Sequence, residues 1–332
     1  VTASLAQDIE AAATLLAGAT DVTLLGHVRP DADALGSALA LGHVLHRRGA
    51  RVRVSFGEPD ETPETLAWLD VDGLLTRVAD LPATDGLLVA LDTPTPARLG
   101  RLAPRVAAAG AVLVVDHHAT NARYGTHHVV DETAEATAVL VARILDAMGE
   151  ELDEPTARSL YAGIVTDTSG FRRASPETHR IAARLLEAGV DPTEVTRRIV
   201  DDHPFAWLPM LSAVLAEACL EPDAAQGFGF VHAVVRASAA ATVRSEEVES
   251  VIDVVRATRE AGVAAVLKES GSADDGPLWT VSLRSAGTLD VSAAAAELGG
   301  GGHRQAAGCT ATGSAEQVLD RLREALSRAP QL

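Results

Sequence analysis

Short runs of valine and leucine punctuate the first third of the chain at 22–28 (VTLLGHV), 51–56 (RVRVSF), 86–92 (GLLVALD) and 111–117 (AVLVVDH), each of strand length. Stretches of helical length separate several of them, as at 34–48 (ALGSALALGHVLHRR). Strands that alternate with helices predict a mostly parallel sheet covered on both faces. From about 134 the pattern turns helical, with helices predicted over 135–148, 155–166, 177–188, 192–202 and 205–219. The stretch EPDAAQGFG (221–229) breaks that run. Strands at 228–235, 263–268 and 278–284 follow, with a helix near 245–259 and a last helix at 314–327 behind the cluster LGGGGHRQAAG (298–308). The expected organisation is an α/β domain over 1–190, a helical connector over 191–226 and a smaller α/β domain over 227–332.

The 332 residues exceed what one hydrophobic core usually organises, which agrees with two domains. No uncharged apolar run reaches the roughly 18–20 residues that cross a bilayer, and the first thirty residues lack the basic-then-apolar pattern of an export signal, so the cytoplasm is the expected location. Two distant cysteines, Cys219 and Cys309, fit neither a disulfide framework nor a metal-site spacing. The net charge of −18 argues against a protein that coats long nucleic acid, since displacing counterions takes a basic surface. Aromatic residues make up 3%, too few to stack many successive bases. Any nucleic-acid substrate is therefore expected to be short, with metal ions and a few arginines reversing the charge locally.

Three of the four N-terminal strands end in ionisable residues: His27, then Asp92, then Asp116 with His117 and His118. In an open α/β sheet the site lies beyond the carboxyl ends of the strands, so these side chains are expected to meet. In LLGHVRPDADALGS, His27, Asp31 and Asp33 fall within seven residues. Taken alone, that stretch reads equally as a helix capped by aspartates or as an imidazole–carboxylate set for a divalent ion such as Mn²⁺. The recurrence of such residues in VALDTPTPARLG, VVDHHATN and GIVTDTSGFR, the last with Asp167, favours the second reading. Four aspartates and two histidines suffice for two ions sharing a carboxylate, the arrangement that serves in-line attack at phosphorus.

HVRPDAD, LDTPTPARLG, VDHH and TDTSGFR resemble the four motifs of the DHH phosphoesterase family, and GGGGHRQAAG resembles the glycine-rich motif of the DHH-associated C-terminal domain. The resemblance implies that His27, Asp31 and Asp92 hold one metal ion and that Asp33, Asp92, His117 and Asp167 hold the other, with Asp92 bridging. It implies two divalent ions, Mn²⁺ first and Mg²⁺ or Co²⁺ as alternatives. Asp116 is expected to orient the metal-bound histidine, and His118 to steady a phosphate oxygen or the leaving group. Gly300, Gly301, Gly302 and His303 are expected to hold the nucleotide across an inter-domain cleft, since glycines let a backbone approach a phosphate. Arg284, at the end of a predicted strand, is a candidate second phosphate contact. Arg244 is a weaker one, because VRSEEVES also reads as a helix start capped by Ser245.

Within the family, a chain of this size without a predicted membrane span or an oligonucleotide-binding barrel resembles the compact nanoRNases that also convert 3′-phosphoadenosine 5′-phosphate (pAp) to AMP. RSEEVESVIDVVR and DDHPFAWLPML look closest to actinobacterial members, which also hydrolyse cyclic di-AMP and pApA. The implied activity is hydrolysis of short oligoribonucleotides, pApA or cyclic di-AMP to AMP, and of pAp to AMP. The implied partners are short RNA or small nucleotides, with no long nucleic acid, no membrane and a homodimer as the expected assembly. An inorganic pyrophosphatase or polyphosphatase and a non-catalytic nucleotide sensor are the competing readings. The glycine motif argues against the first of these, and the intact acidic and histidine set against the second.

Overall fold

Helix α1 (Ala3–Ala17) opens the chain, with Thr2 as its N-cap and Leu5, Ile9, Ala12, Ala13 and Leu16 forming one buried stripe. The computed structural model describes residues 2–83, 86–273 and 276–332, and the chain divides into two units, one up to Asp202 and one from His203. The division falls inside the segment expected as a connector.

In the first unit, β1 (Asp21–Gly26), α2 (Ala32–Arg47) and β2 (Arg51–Phe56) are followed by α3 (Glu64–Ala67), β3 (Leu87–Leu91), α4 (Pro104–Ala108), β4 (Val112–Asp116) and β5 (His127–Val130). The remaining helices are α5 (Thr137–Ala147), α6 (Glu154–Asp167), α7 (Pro176–Glu187) and α8 (Pro192–Thr196). The five strands are all parallel in the order β2-β1-β3-β4-β5. Every residue of β3 and β4 is buried. Val22, Leu24, Val89, Leu91, Leu113 and Val115 face the large core shared with α1, α2, α5 and α6, while Leu25, Leu88, Ala90, Val112 and Val114 face a smaller core with Leu99 and Leu102. Burial on both faces explains why these strands read as continuous apolar runs. The chain steps from β1 to β2 on one side and then crosses back to β3 on the other, so a topological switch point lies between the carboxyl ends of β1 and β3.

Two glycines let α2 and α6 approach closely. A Cβ on Gly36 would lie 2.4 Å from the Ser159 carbonyl oxygen, and one on Gly163 would lie 2.7 Å from Asp33 Oδ1. The predicted helix over 192–202 is two pieces: α8 ends at Thr196 and a wider turn carries Arg197–Asp201.

The second unit contains α9 (Trp207–Ala216), β6 (Cys219–Glu221), β7 (Phe230–Val235), α10 (Ala237–Ala240), α11 (Ser245–Val255), β8 (Val263–Ala273), β9 (Gly276–Ser285), α12 (Val291–Glu297), β10 (Gly301–His303), β11 (Ala306–Thr312) and α13 (Ala315–Arg328). Its sheet runs β10-β11-β9-β8-β7-β6, with β7 and β8 parallel and every other neighbour antiparallel. Trp279, Val281, Leu283, Ala307 and Cys309 face α12 and α13, whereas Val231, Ala233, Ala264 and Val266 face α9 and α11. The helix expected over 205–219 ends at Ala216, and its last position belongs to β6. Among the described residues, no helix is long and apolar enough to cross a membrane.

Candidate metal centre

The first histidine follows β1 directly. His27 Nδ1 donates to the Val28 carbonyl at 2.8 Å, which turns Nε2 toward Asp92 Oδ2 at 3.4 Å and Asp31 Oδ2 at 3.6 Å. The capping and metal-ligand readings of Asp31 are compatible, because its two oxygens divide the work. Oδ1 accepts from the backbone N–H groups of Asp33 (3.0 Å) and Ala34 (2.9 Å), starting α2, while Oδ2 is the oxygen that faces His27.

Opposite, His117 Nδ1 donates to the Ala134 carbonyl at 3.1 Å. Its Nε2 then faces Asp167 Oδ2 at 3.2 Å, Asp92 Oδ1 at 3.5 Å and Asp33 Oδ2 at 3.9 Å. Asp92 therefore presents one oxygen to each histidine. His27, Asp31 and Asp92 offer ligand atoms all within 4.8 Å of one another, and so do Asp33, Asp92 and His117. Both sets combine neutral-capable imidazole nitrogens with carboxylate oxygens and share one buried carboxylate, with only Asp31 partly exposed, so they fit a pair of divalent ions.

The N-terminus of α5 fixes the carboxylates. The N–H groups of Thr137 (2.6 Å) and Ala138 (2.9 Å) donate to Asp33 Oδ2 and Oδ1, and the Thr137 hydroxyl donates to Asp92 Oδ1 at 2.9 Å. Sequence reasoning passed over Thr137, since nothing in EATAVL marks it as more than a helix residue; its partners lie on other elements. Asp92 itself has a left-handed backbone (φ 56), as do Arg29, Ser169 and Phe171, each next to or within a ligand-bearing turn.

One expectation needs correcting. Asp116 pairs with His118, not with His117: His118 Nδ1 lies 2.8 Å from Asp116 Oδ1, while Asn121 Nδ2 donates to Asp116 Oδ2 at 2.6 Å. A strand alternates its side chains, and the chain beyond Asp116 returns the second histidine, rather than the first, to its carboxylate.

Without metal the cluster holds protons. Burial opposes the charged form of His27, but Asp31 and Asp92 outweigh it and push its pKa up to about 10. His117 is raised as well, burial being overcome by Asp167, Asp92 and Asp33. Burial and the charges of Asp167 and Asp92 push Asp33 upward, whereas the histidines hold Asp92 well below the usual carboxylate range against its burial. A metal takes Nε2 only when it is deprotonated, so loading with a divalent ion is expected to release protons. Between pH 6 and 8, below the raised pKa, His27 carries its proton in the metal-free site. Apparent affinity is therefore expected to fall about tenfold per displaced proton for each unit the pH drops. Titration calorimetry in buffers of different ionisation enthalpy measures the release, and a pH-independent affinity without proton release would remove His27 from the ligand set.

In the second unit, strand register puts His303, Ala306 and Arg284 in one cross-strand row on one face, with Gly301, Gly308 and Ser282 in the adjacent same-face row. The glycine cluster is part strand rather than a free loop: a Cβ on Gly300 would lie 2.1 Å from the Gly308 carbonyl oxygen and one on Gly302 2.6 Å from that of Ala306. At Gly301, as at Gly299 before the strand, a Cβ would meet nothing within 4 Å, so Gly301 is the glycine of β10 with an open approach. Arg284 Nη1 donates to the Leu283 carbonyl at 3.0 Å. Arg244 sits at the N-cap of α11, and Ser245 is the first helical residue instead of the cap; the Arg244 guanidinium pairs with the buried Glu247 at 2.6 Å. The sole lysine, Lys268, to which sequence reading gave no role, is buried, pairs with Glu249 and donates to Ser282 Oγ at 2.8 Å.

The DHH family, N-terminal domain, matches residues 21–164, and the DHHA1 domain matches residues 228–330. The chain is 33% identical to the bifunctional oligoribonuclease and PAP phosphatase NrnA of Thermus thermophilus, over 92% of this chain and 90% of that protein. It is 26% identical to the cyclic-di-AMP phosphodiesterase PdeA of Listeria monocytogenes over 87% of this chain and 44% of that protein. The solved structure of an exopolyphosphatase-related protein from Bacteroides fragilis shares the fold, with a TM-score of 0.85 at 22% identity, covering 97% of this chain and 96% of that one.

Proposed function

The chain belongs to the DHH family of metal-dependent phosphoesterases, and from that premise we propose that it hydrolyses short oligoribonucleotides, pApA or cyclic di-AMP to AMP, and pAp to AMP. The observation that carries this reading is the Asp92 carboxylate, with Oδ2 toward His27 and Oδ1 toward His117. His27, Asp31 and Asp92 would hold one divalent ion, and Asp33, Asp92, His117 and Asp167 the other. Such a pair supplies an activated water and neutralises charge on the phosphoryl oxygens.

The protein's own groups do the rest. Asp116 raises the pKa of His118 against its burial, with Asp92 adding to the effect, and so keeps a proton there for the departing oxygen. Thr137 and the α5 N-terminus hold Asp33 and Asp92 in place. His303, Arg284, Gly301 and their neighbours on β10, with Arg244 as a lesser contributor, bind the remainder of the nucleotide. Mn²⁺ is the preferred ion because imidazole ligands disfavour a purely oxygen-seeking one. A cytoplasmic setting and a twofold assembly complete the proposal, supported by the nucleotide substrates of the relatives and by the commonness of such assemblies.

The test compares kcat/KM with Mn²⁺ for pAp, pApA, di- to tetraribonucleotides, cyclic di-AMP and pyrophosphate. AMP from pAp, pApA and short RNA is expected. Turnover of pyrophosphate alone, or of nothing, would overturn the reading. In the same assay His303→Ala is expected to raise KM for nucleotides about tenfold with a smaller change in kcat, the signature of lost ground-state binding. An unchanged KM would take His303 out of the substrate site.

A further inference from the structure

The loaded centre poses a charge problem. Ionised Asp31, Asp33, Asp92 and Asp167 offset two divalent cations, and the histidines bind as neutral imidazoles. The centre is then close to neutral, in a chain of net charge −18. A substrate with several phosphate charges needs further cations near the site.

The ligand-bearing loops carry them. Arg29 lies between His27 and Asp31, Arg98 in the turn after Asp92, Arg123 beyond His117 and His118, and Arg172 beyond Asp167; all four are exposed. The first three loops are tied together. Val28 N–H donates to the Arg98 carbonyl at 2.8 Å and Ala122 N–H to that of Pro94 at 2.9 Å. Asn121 accepts from Arg123 N–H at 2.7 Å while donating to Asp116 at 2.6 Å. Elsewhere most arginines are held by carboxylates, as Arg47, Arg53, Arg143, Arg184 and Arg323 are. The four loop arginines make no ion pair or side-chain hydrogen bond among the described residues, a condition otherwise shared by Arg180, Arg197 and Arg236, the last of which stacks on Trp279. Arg29 (φ 52) and Arg123 (φ 49) also keep a long side chain on a left-handed backbone that glycine or asparagine would adopt with less strain.

We propose that Arg29, Arg98, Arg123 and Arg172 form a cationic rim that binds substrate phosphates other than the one being hydrolysed, so that efficient turnover requires a nucleotide with at least one further phosphate. This rests on the phosphoesterase reading. The experiment measures kcat/KM with Mn²⁺ for pAp, which carries a second phosphate, and for bis(p-nitrophenyl) phosphate, which does not. In Arg29→Gln/Arg123→Gln the ratio of the two is expected to fall about tenfold, and further in Arg29→Glu/Arg123→Glu. The pAp rate also loses part of its salt dependence. Arg180→Gln/Arg197→Gln is expected to leave the ratio where it is. Should the first pair fail to fold, Arg98→Gln/Arg172→Gln reads the same ratio. A rim pair with the wild-type ratio, or a control pair that lowers it equally, overturns the rim. If the wild-type protein hydrolyses neither compound, the phosphoesterase reading fails instead. Calorimetric binding of pAp to the same variants then decides the rim: a loss of about tenfold confined to the rim pairs supports it, and equal affinity overturns it.

Discussion

Replacing Asp92 with asparagine is expected to lower kcat on every phosphoester substrate by about 10⁴-fold, roughly 5 kcal/mol of transition-state stabilisation, while the chain stays folded. The amide matches the carboxylate in size and still offers an oxygen to the Thr137 hydroxyl, now 2.9 Å from Oδ1. It cannot present a charged oxygen to both His27 and His117, which stand 3.4 and 3.5 Å from opposite oxygens. The loss therefore extends to both clusters at once, unlike the loss of Asp31, which belongs to one. Titration calorimetry with Mn²⁺ checks this directly: the variant is expected to lose tight binding at both sites, with its thermal midpoint retained. Hydrolysis of pAp at the wild-type rate would remove the shared-carboxylate arrangement.

Much of this candidate centre was legible from residues alone because its side chains lie at the ends of strands and helices whose hydrophobic pattern is plain. β1, β3 and β4 are buried on both faces, so their apolar runs stand out and His27, Asp92 and His117 fall at their ends. What escaped depends on partners remote in sequence. The strand order that creates the switch point leaves no trace in the local pattern. β5 is four residues with two histidines, too short and too polar to announce an edge strand. β10 reads as a bare turn, yet the glycines that suggest a turn are what allow its backbone against β11. α9 is apolar on most positions, so the pattern carries no sign that the helix stops at Ala216. Adjacent histidines likewise cannot reveal which of them Asp116 will meet.

The same dependence on remote packing governs Gly36 and Gly163, where adding one methyl group is expected to cost both stability and metal binding. A Cβ at Gly36 would sit 2.4 Å from the Ser159 carbonyl oxygen and 3.3 Å from its carbon, both backbone atoms that cannot swing aside. α2 and α6 would have to separate. Those helices carry Asp33 near the start of one and Asp167 at the end of the other, so separation pulls apart two carboxylates that both face His117. At Gly163 the added carbon would sit 2.7 Å from Asp33 Oδ1 and 3.0 Å from Asp33 Cα, pressing on a proposed ligand. Overpacking of this kind costs about 1–3 kcal/mol, which for a unit of this size lowers the thermal midpoint by roughly 2–12 °C. Gly36→Ala is expected toward the upper end, since only backbone movement relieves it. Gly163→Ala is expected to weaken Mn²⁺ binding more than it lowers the midpoint, because its nearest neighbour is a carboxylate oxygen of the proposed ligand set. Gly110→Ala, where a Cβ meets nothing within 4 Å, serves as the control. Calorimetric melting and Mn²⁺ titration of the three variants separate the effects: if Gly36→Ala melts with Gly110→Ala and binds Mn²⁺ equally well, close approach of α2 and α6 does not set the geometry of the centre.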